Sequence, residues 1–261
     1  MQSGHLDRRA HGILLGALLP ALSLVLVAAA GCGGGNPHPA GTLDRADFFA
    51  GKGKQLEAVA AYESFVRHNP TDSLAAEAQF RKAMIYMDLE EYPLAAVEFQ
   101  ILRKDFPTSD RVEESLFQEG LAYRRQVTDI ARDTSGAIEA RKHFERFRTQ
   151  YPASPRLPDV TAELAGISDL VVRKRLDQVK VFRQLGRWQA VATVLDRLLA
   201  EEPGSSLVPR VLWERAAAAE KLGDREAAAA FHGRLAAEYP GDSRAREAAA
   251  AAARLAAGGG S

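Results

Sequence analysis

One cysteine, Cys32, occurs in 261 residues. A lone thiol excludes an internal disulfide framework and any zinc site built from cysteine pairs. Six histidines stand at positions 5, 11, 38, 68, 143 and 232. None pairs with another at helical spacing, so no helical metal site is expected. An excess of either charge is also missing: Lys+Arg and Asp+Glu are both 34. A balanced chain lacks the basic footprint of a nucleic-acid binder. No Gly-rich phosphate loop, nucleophile elbow or His-Glu-x-x-His occurs. Acidic pairs such as Glu90-Glu91, Glu113-Glu114 and Glu201-Glu202 are adjacent and point apart on a helix, which argues against paired acid–base work. No catalytic residue and no cofactor is therefore expected. What is present is enough apolar material, 46% against 26% charged, to build a core.

The N-terminus holds the one long apolar run. Met1 to Gly12 is polar and carries Arg8 and Arg9; Ile13 to Ala30 has no charge; then come Gly31, Cys32 and Gly33 to Gly35. A basic start, an apolar run and small residues at its end describe a secretory signal. Ala29-Ala30-Gly31-Cys32 resembles the bacterial lipobox, in which cleavage precedes a cysteine that takes a diacylglycerol. Residues 1–31 are thus expected as signal peptide, with Cys32 lipidated and residues 32–42 as a Gly/Pro-rich tether. The alternatives are an uncleaved anchor and a simple cleaved signal. Eighteen residues rise about 27 Å, barely a span.

Past the tether glycine is thin, and no Asn-Gly or Asp-Gly hairpin signal appears. Helical spacing dominates, so the expected class is all-α. Prolines set a register: Pro70, Pro107, Pro152, Pro203 and Pro240 are 37, 45, 51 and 37 residues apart. Twelve residues before them stand Ala58, Ala95, Ala140, Val191 and Ala228. Eight before stand Tyr62, Phe99, Phe144, Leu195 and His232; five before stand Phe65, Leu102, Phe147, Leu198 and Leu235. His232 breaks the bulky pattern, and Phe231 is the expected substitute. Seventeen before stand Gly53, Gly186 and Gly223, with Gly136 one place off. The unit is a helix–turn–helix: glycine ends its first helix, a small residue lets the pair approach, and proline ends the second. A single unit cannot bury its apolar face, so the units must stack into a superhelix.

This resembles the tetratricopeptide repeat. Leu185-Gly186 and Leu222-Gly223 supply the Leu-Gly pair at the inner turn. Ala46 and Phe49, Ala83 and Tyr86, and Gly120 and Tyr123 supply the small residue and aromatic of helix A. Repeats one, two, four and five are read at about 39–72, 76–109, 172–205 and 209–242. The third begins near 113 and carries its extra length around Asp129–Gly136; one long helix starts at Pro158 and enters repeat four. About five units follow, with an N-terminal half over 43–156, a C-terminal half over 157–257 and a loose tail at 258–261. Trp188 and Trp213 are expected to pack between repeats.

The repeat resemblance also implies a groove lined by helix A. In repeat two it places Glu77, Phe80, Met84 and Met87 there; in repeat three Glu114, Phe117, Leu121 and Arg124. An apolar strip with charged edges suits an extended or helical peptide with aromatic side chains. The bland alternative is that the strip packs on its own neighbours. In repeat four the same positions are Arg173, Leu176, Lys180 and Arg183, a basic face that suits an acidic partner or is simply solvated.

A signal, a lipobox, five such units and a lengthened third repeat are similar to the BamD family, the lipoproteins of the outer-membrane β-barrel assembly machinery. Ala137–Pro203 carries most of the likeness: Ala140, Phe144, Phe147, Tyr151-Pro152-Ala153-Ser154, a long helix, then Gly186-Arg187-Trp188-Gln189-Ala190-Val191. The resemblance implies a non-enzymatic protein lipid-anchored at the periplasmic face of the outer membrane. Its N-terminal repeats would receive targeting segments of unfolded outer-membrane proteins. Its C-terminal repeats would dock on the barrel-forming partner beside other assembly lipoproteins. Gly33 agrees, since the Asp that retains lipoproteins at the inner membrane is absent. Val194 departs from the Arg that family members carry on the second helix of repeat four. The alternative is another envelope adaptor of this architecture, for cell division or pilus assembly. A cell-wall enzyme with a helical accessory domain would need residues this chain does not have.

Overall fold

The computed structural model describes residues 36–127 and 135–257. The expected signal peptide, Cys32, residues 129–134 of the lengthened repeat and the tail at 258–261 lie outside the described residues. The helices are α1 Leu43–Gly51, α2 Gln55–His68, α3 Ala75–Asp88, α4 Tyr92–Asp105, α5 Arg111–Arg125, α6 Ser135–Gln150, α7 Leu157–Gln184, α8 Trp188–Glu201, α9 Val208–Leu222, α10 Arg225–Glu238 and α11 Ala245–Ala257. No strand occurs among the described residues, and no helix there is long and apolar enough to cross a membrane.

Ten of these helices pair into five hairpins, α1–α2 to α9–α10, and each hairpin packs on the next. The proline register explains why. The residue before each proline leaves the helical region in the same way: Asn69, Phe106, Glu202 and Tyr239 all have φ near −130° and ψ near 50–60°. Two residues after each proline stands a short acceptor, Asp72, Ser109, Ser154, Ser205 or Asp242. Its side-chain oxygen takes the backbone N–H two residues further on, at 2.8, 3.1, 3.0, 3.1 and 2.9 Å. Such side-chain turns restart the chain as the next first helix. At the inner turn Gly53, Gly186 and Gly223 take φ of 68°, 66° and 78°. Glu90 holds the equivalent place in repeat two at φ 60°. A side chain there costs about 1–2 kcal/mol, and the hairpin around it tolerates this. Gly136 is not an inner-turn residue. It lies in the first turn of α6, where an added Cβ would come 2.9 Å from the Tyr123 carbonyl oxygen.

The register residues form the core. Ala58, Ala95, Ala140 and Ala228 are fully buried, as are Phe99, Phe144, Phe147, Leu102, Leu195 and Leu235. Gly120 is small because a Cβ there would stand 2.8 Å from the Phe144 ring. His232, not Phe231, fills its register position: it is buried edge-on to Trp213 at 5.1 Å, with Nε2 3.0 Å from Glu220 Oε1. Phe231 is only partly buried and lies under the Arg215 guanidinium. The expected Leu-Gly pair works through its glycine alone, since Leu185 and Leu222 are exposed. Trp188 and Trp213 pack, partly buried, against the cores of repeats four and five. An Ala-rich helix, α11, follows repeat five and buries Ala245, Ala248 and Ala251 against α10.

Polar side chains also join consecutive hairpins at one recurring place. Glu63, Gln100 and Asp196, each seven residues before a proline, meet Lys82 at 3.7 Å, Glu119 at 2.6 Å and Arg215 at 2.6 Å in the next first helix. Glu119 is completely buried and also holds Arg103; Lys82 is nearly buried and holds Glu98 at 2.9 Å. At the fourth junction Asp169 of α7 accepts from the Ser205 and Ser206 hydroxyls, both at 2.6 Å, and from the Ser206 N–H at 2.7 Å. Burial alone would raise its pKa, but these hydrogen bonds outweigh burial and hold it below 3.8. A lowered carboxylate pKa contributes stability above the unfolded value that is lost as pH falls through the folded one. Asp169→Ala should therefore cost ~1–3 kcal/mol at pH 7, as charged hydrogen bonds do. Urea midpoints of variant and parent should converge as pH drops below about 4; parallel curves would refute this.

Candidate functional site

The first helices of repeats two and three carry a repeated three-residue arrangement. Glu77 and Phe80 in α3 are 37 residues before Glu114 and Phe117 in α5. Each Glu receives an Arg from the start of the following first helix. Arg111 Nε meets Glu77 Oε2 at 2.5 Å; Arg156 meets Glu114 through Nε at 3.0 Å and Nη2 at 2.9 Å. Each Arg then lies over the aromatic ring of the same repeat, Arg111 over Phe80 and Arg156 over Phe117, both 5.0 Å from the centroid. The carboxylate fixes the guanidinium, and the guanidinium covers the ring.

The ladder continues toward the N-terminus. Arg81 bridges Glu77 at 2.7 Å and Asp47 at 2.8 Å, and Asp47 accepts from the Tyr62 hydroxyl at 2.6 Å. Burial, then the bond to Asp47, pushes the Tyr62 pKa up to about 12. The bond to Glu77 leads the causes that raise Arg81, and the bond to Glu114 leads those that raise Arg156, so both stay cationic. Sequence reading placed Glu77 and Glu114 on this face but missed their arginine partners. The signal was available: Arg111 and Arg156 each stand four residues past a turn proline.

The expected groove residues separate by burial. Met87 and Phe117 are 3% and 5% exposed and sit in the cores, Phe117 against the Phe144 and Phe147 rings. Phe80, Met84 and Leu121 are half-buried around the core of repeats two and three. Arg124 is half-buried 3.8 Å from Glu163 of α7. The partly exposed surface of this face is thus that of Phe80, Met84, Leu121 and Arg124, with Met87 and Phe117 behind them.

In the C-terminal repeats the face changes sign. Arg173, Lys180 and Arg183 are exposed on α7. Lys180 and Arg183 share a small recess with Arg210, and Arg183 pairs with Glu214 at 2.9 Å. Arg173 is not part of that recess; its charge acts on Asp169. Val194 on α8 packs against the core of repeat four, so an Arg there would lose apolar contact. Among the described residues no cluster of His, Cys, Asp and Glu could hold a metal ion.

Stacked two-helix units with one apolar, charge-edged face define a tetratricopeptide-type scaffold. Residues 45–235 match the model of the YfiO family, described as outer membrane lipoprotein. The chain belongs to that family. No curated protein matches it. Among solved structures, the TPR2AB-domain:pHSP90 complex of yeast Sti1 is similar at 15% identity and a TM-score of 0.44, covering 81% of each chain. A thermophilic TPR protein of Thermus thermophilus is similar at 19% identity and a TM-score of 0.32, covering 79% of this chain and 94% of that one.

Proposed function

We propose that this protein is an adaptor of the β-barrel assembly machinery, acylated at Cys32 and held at the periplasmic face of the outer membrane. The face around Phe80, Met84, Leu121 and Arg124 receives targeting segments of unfolded barrel proteins. The basic face at Arg173, Lys180 and Arg183 docks an acidic surface of the barrel-forming partner. Membership of an outer membrane lipoprotein family supports the location. The observation that carries the binding role is the repeated Glu–Arg–aromatic arrangement at Glu77/Arg111/Phe80 and Glu114/Arg156/Phe117. Two polar–aromatic stations of the same residue types in register, the ring half-buried at Phe80 and buried at Phe117, suit a ligand that is itself a chain.

The acyl groups anchor because each buried CH₂ contributes about 0.8 kcal/mol. Cys32→Ser should release the protein from membranes or leave an uncleaved precursor; unchanged lipid labelling would refute acylation. The joint replacement Phe80→Asp with Met84→Asp should lower affinity for aromatic-ended barrel-protein peptides by about tenfold or more, a loss of ~1.4 kcal/mol. The melting curve must stay cooperative. Unfolding of the variant would instead assign both residues to the core. Crosslinking in native membranes tests the setting. Barrel-assembly proteins support this reading; division or pilus proteins in their place would replace it with an adaptor of another envelope machine.

A further inference from the structure

Helix α7 spans 28 residues, twice the length of α3. Its first half, through Val160 and Ile167, belongs to the core built with α5 and α6. Its second half, through Val172, Leu176 and Val179, belongs to the core built with α8 and α9. At the hand-over the beginning of α6 and the residue capping α8 both meet the middle of α7. A cleft of roughly 550 Å³ remains between them. Ala137, Ile167 and Val171 line it, and Ile138 stands at its lip, 62% exposed.

The charges of the cleft do not balance. Among the described residues Glu202 is its one carboxylate, and Arg141 takes both oxygens at 3.0 and 2.8 Å. Lys174 and Arg175 line the same cleft, half-buried, and have no ion pair or hydrogen bond among the described residues. Half-buried cations beside apolar surface favour an incoming carboxylate. Shape narrows the occupant further. From Ile167 to Gln178 the open stretch of α7 runs about 16 Å, three helical turns. Among the described residues the lining offers the backbone of an extended strand one acceptor side chain not already held, Gln178, so most of its N–H groups would find no partner there. A helix satisfies its own backbone and can lie along α7.

We propose that this cleft is a second docking site, separate from the groove of repeats two and three. It takes an amphipathic helical segment of a partner polypeptide, with an apolar stripe toward Ile138 and Val171, over the buried Ile167, and carboxylates toward Lys174 and Arg175. The inference does not depend on which machine the protein serves.

Two stapled helical peptides of about three turns test it. They share one leucine stripe and differ only in flanks of Glu or Lys. Fluorescence anisotropy is read with the full chain in detergent. The Glu-flanked peptide should bind about tenfold or more tightly than its Lys-flanked twin, and more weakly as salt rises. Ile138→Glu, and separately Lys174→Glu with Arg175→Glu, should each weaken it by a similar factor while the melting curve holds. Phe80→Asp with Met84→Asp should leave it unchanged. Equal binding of the two peptides, no binding, or indifference to the cleft variants would overturn the proposal. So would capture of phosphatidylglycerol vesicles lost on the same charge reversals without peptide binding, which would assign the cleft to lipid. Self-association abolished by Ile138→Glu would assign it to a second copy, with the same consequence.

Discussion

Arg103→Met should lower the unfolding free energy by ~3–5 kcal/mol, because it strands a fully buried carboxylate. Glu119 has no exposed surface. Arg103 neutralises it, Gln100 Nε2 donates at 2.6 Å, and His143 Nδ1 lies 3.3 Å away, stacked on Tyr123. Burial, the leading cause, and the Arg103 charge hold His143 below 6.5, so it is neutral near pH 7 in the parent. Adding Glu119→Gln to Arg103→Met should recover most of the loss, since an amide needs no counter-charge. Urea unfolding of the two variants measures both effects. A single variant within about 1 kcal/mol of the parent would mean that water reaches the carboxylate.

The second large effect is steric. Ala95 is fully buried where α4 packs on α3, among Ala83, Met87 and Phe99. Ala95→Trp should destabilise by ~3 kcal/mol or more, since the indole must displace a packed helix. Val97, two residues along the same helix, is 49% exposed, and Val97→Trp should be nearly neutral. Matching melting temperatures for the two variants would dissolve the repeat register.

That register was legible because it rests on few demands. Proline ends a helix wherever it stands, and a residue at a helix crossing must be small. Ala58, Ala95, Ala140 and Ala228 follow from their distance to the turn prolines alone. The long α7 was legible too, from Pro158 and the absence of strong breakers after it. Other parts were hidden for identifiable reasons. Glu90 adopts the conformation that glycine marks elsewhere, and nothing in its side chain announces it. His232 was discounted because a histidine is a poor apolar filler. Its ring nonetheless fits beside Trp213 once Glu220 takes a ring nitrogen. The helix α11 consists mostly of alanine, whose buried and exposed copies look alike in a sequence. On the candidate face, spacing supplied Phe80 and Met84 but could not separate half-buried side chains from Met87 and Phe117 behind them. The Arg partners come from the next repeat and are visible only when two units are read together.

At three of the four joints the side chains that join successive hairpins differ: acid to lysine at Glu63–Lys82, amide to acid at Gln100–Glu119, acid to arginine at Asp196–Arg215. Hairpins built on one plan could in principle nest in any order, or trade places between two molecules. Here a skipped second unit would set Glu63 against the buried Glu119. The joint at Glu119 therefore discriminates among neighbours that the shared apolar plan leaves alike.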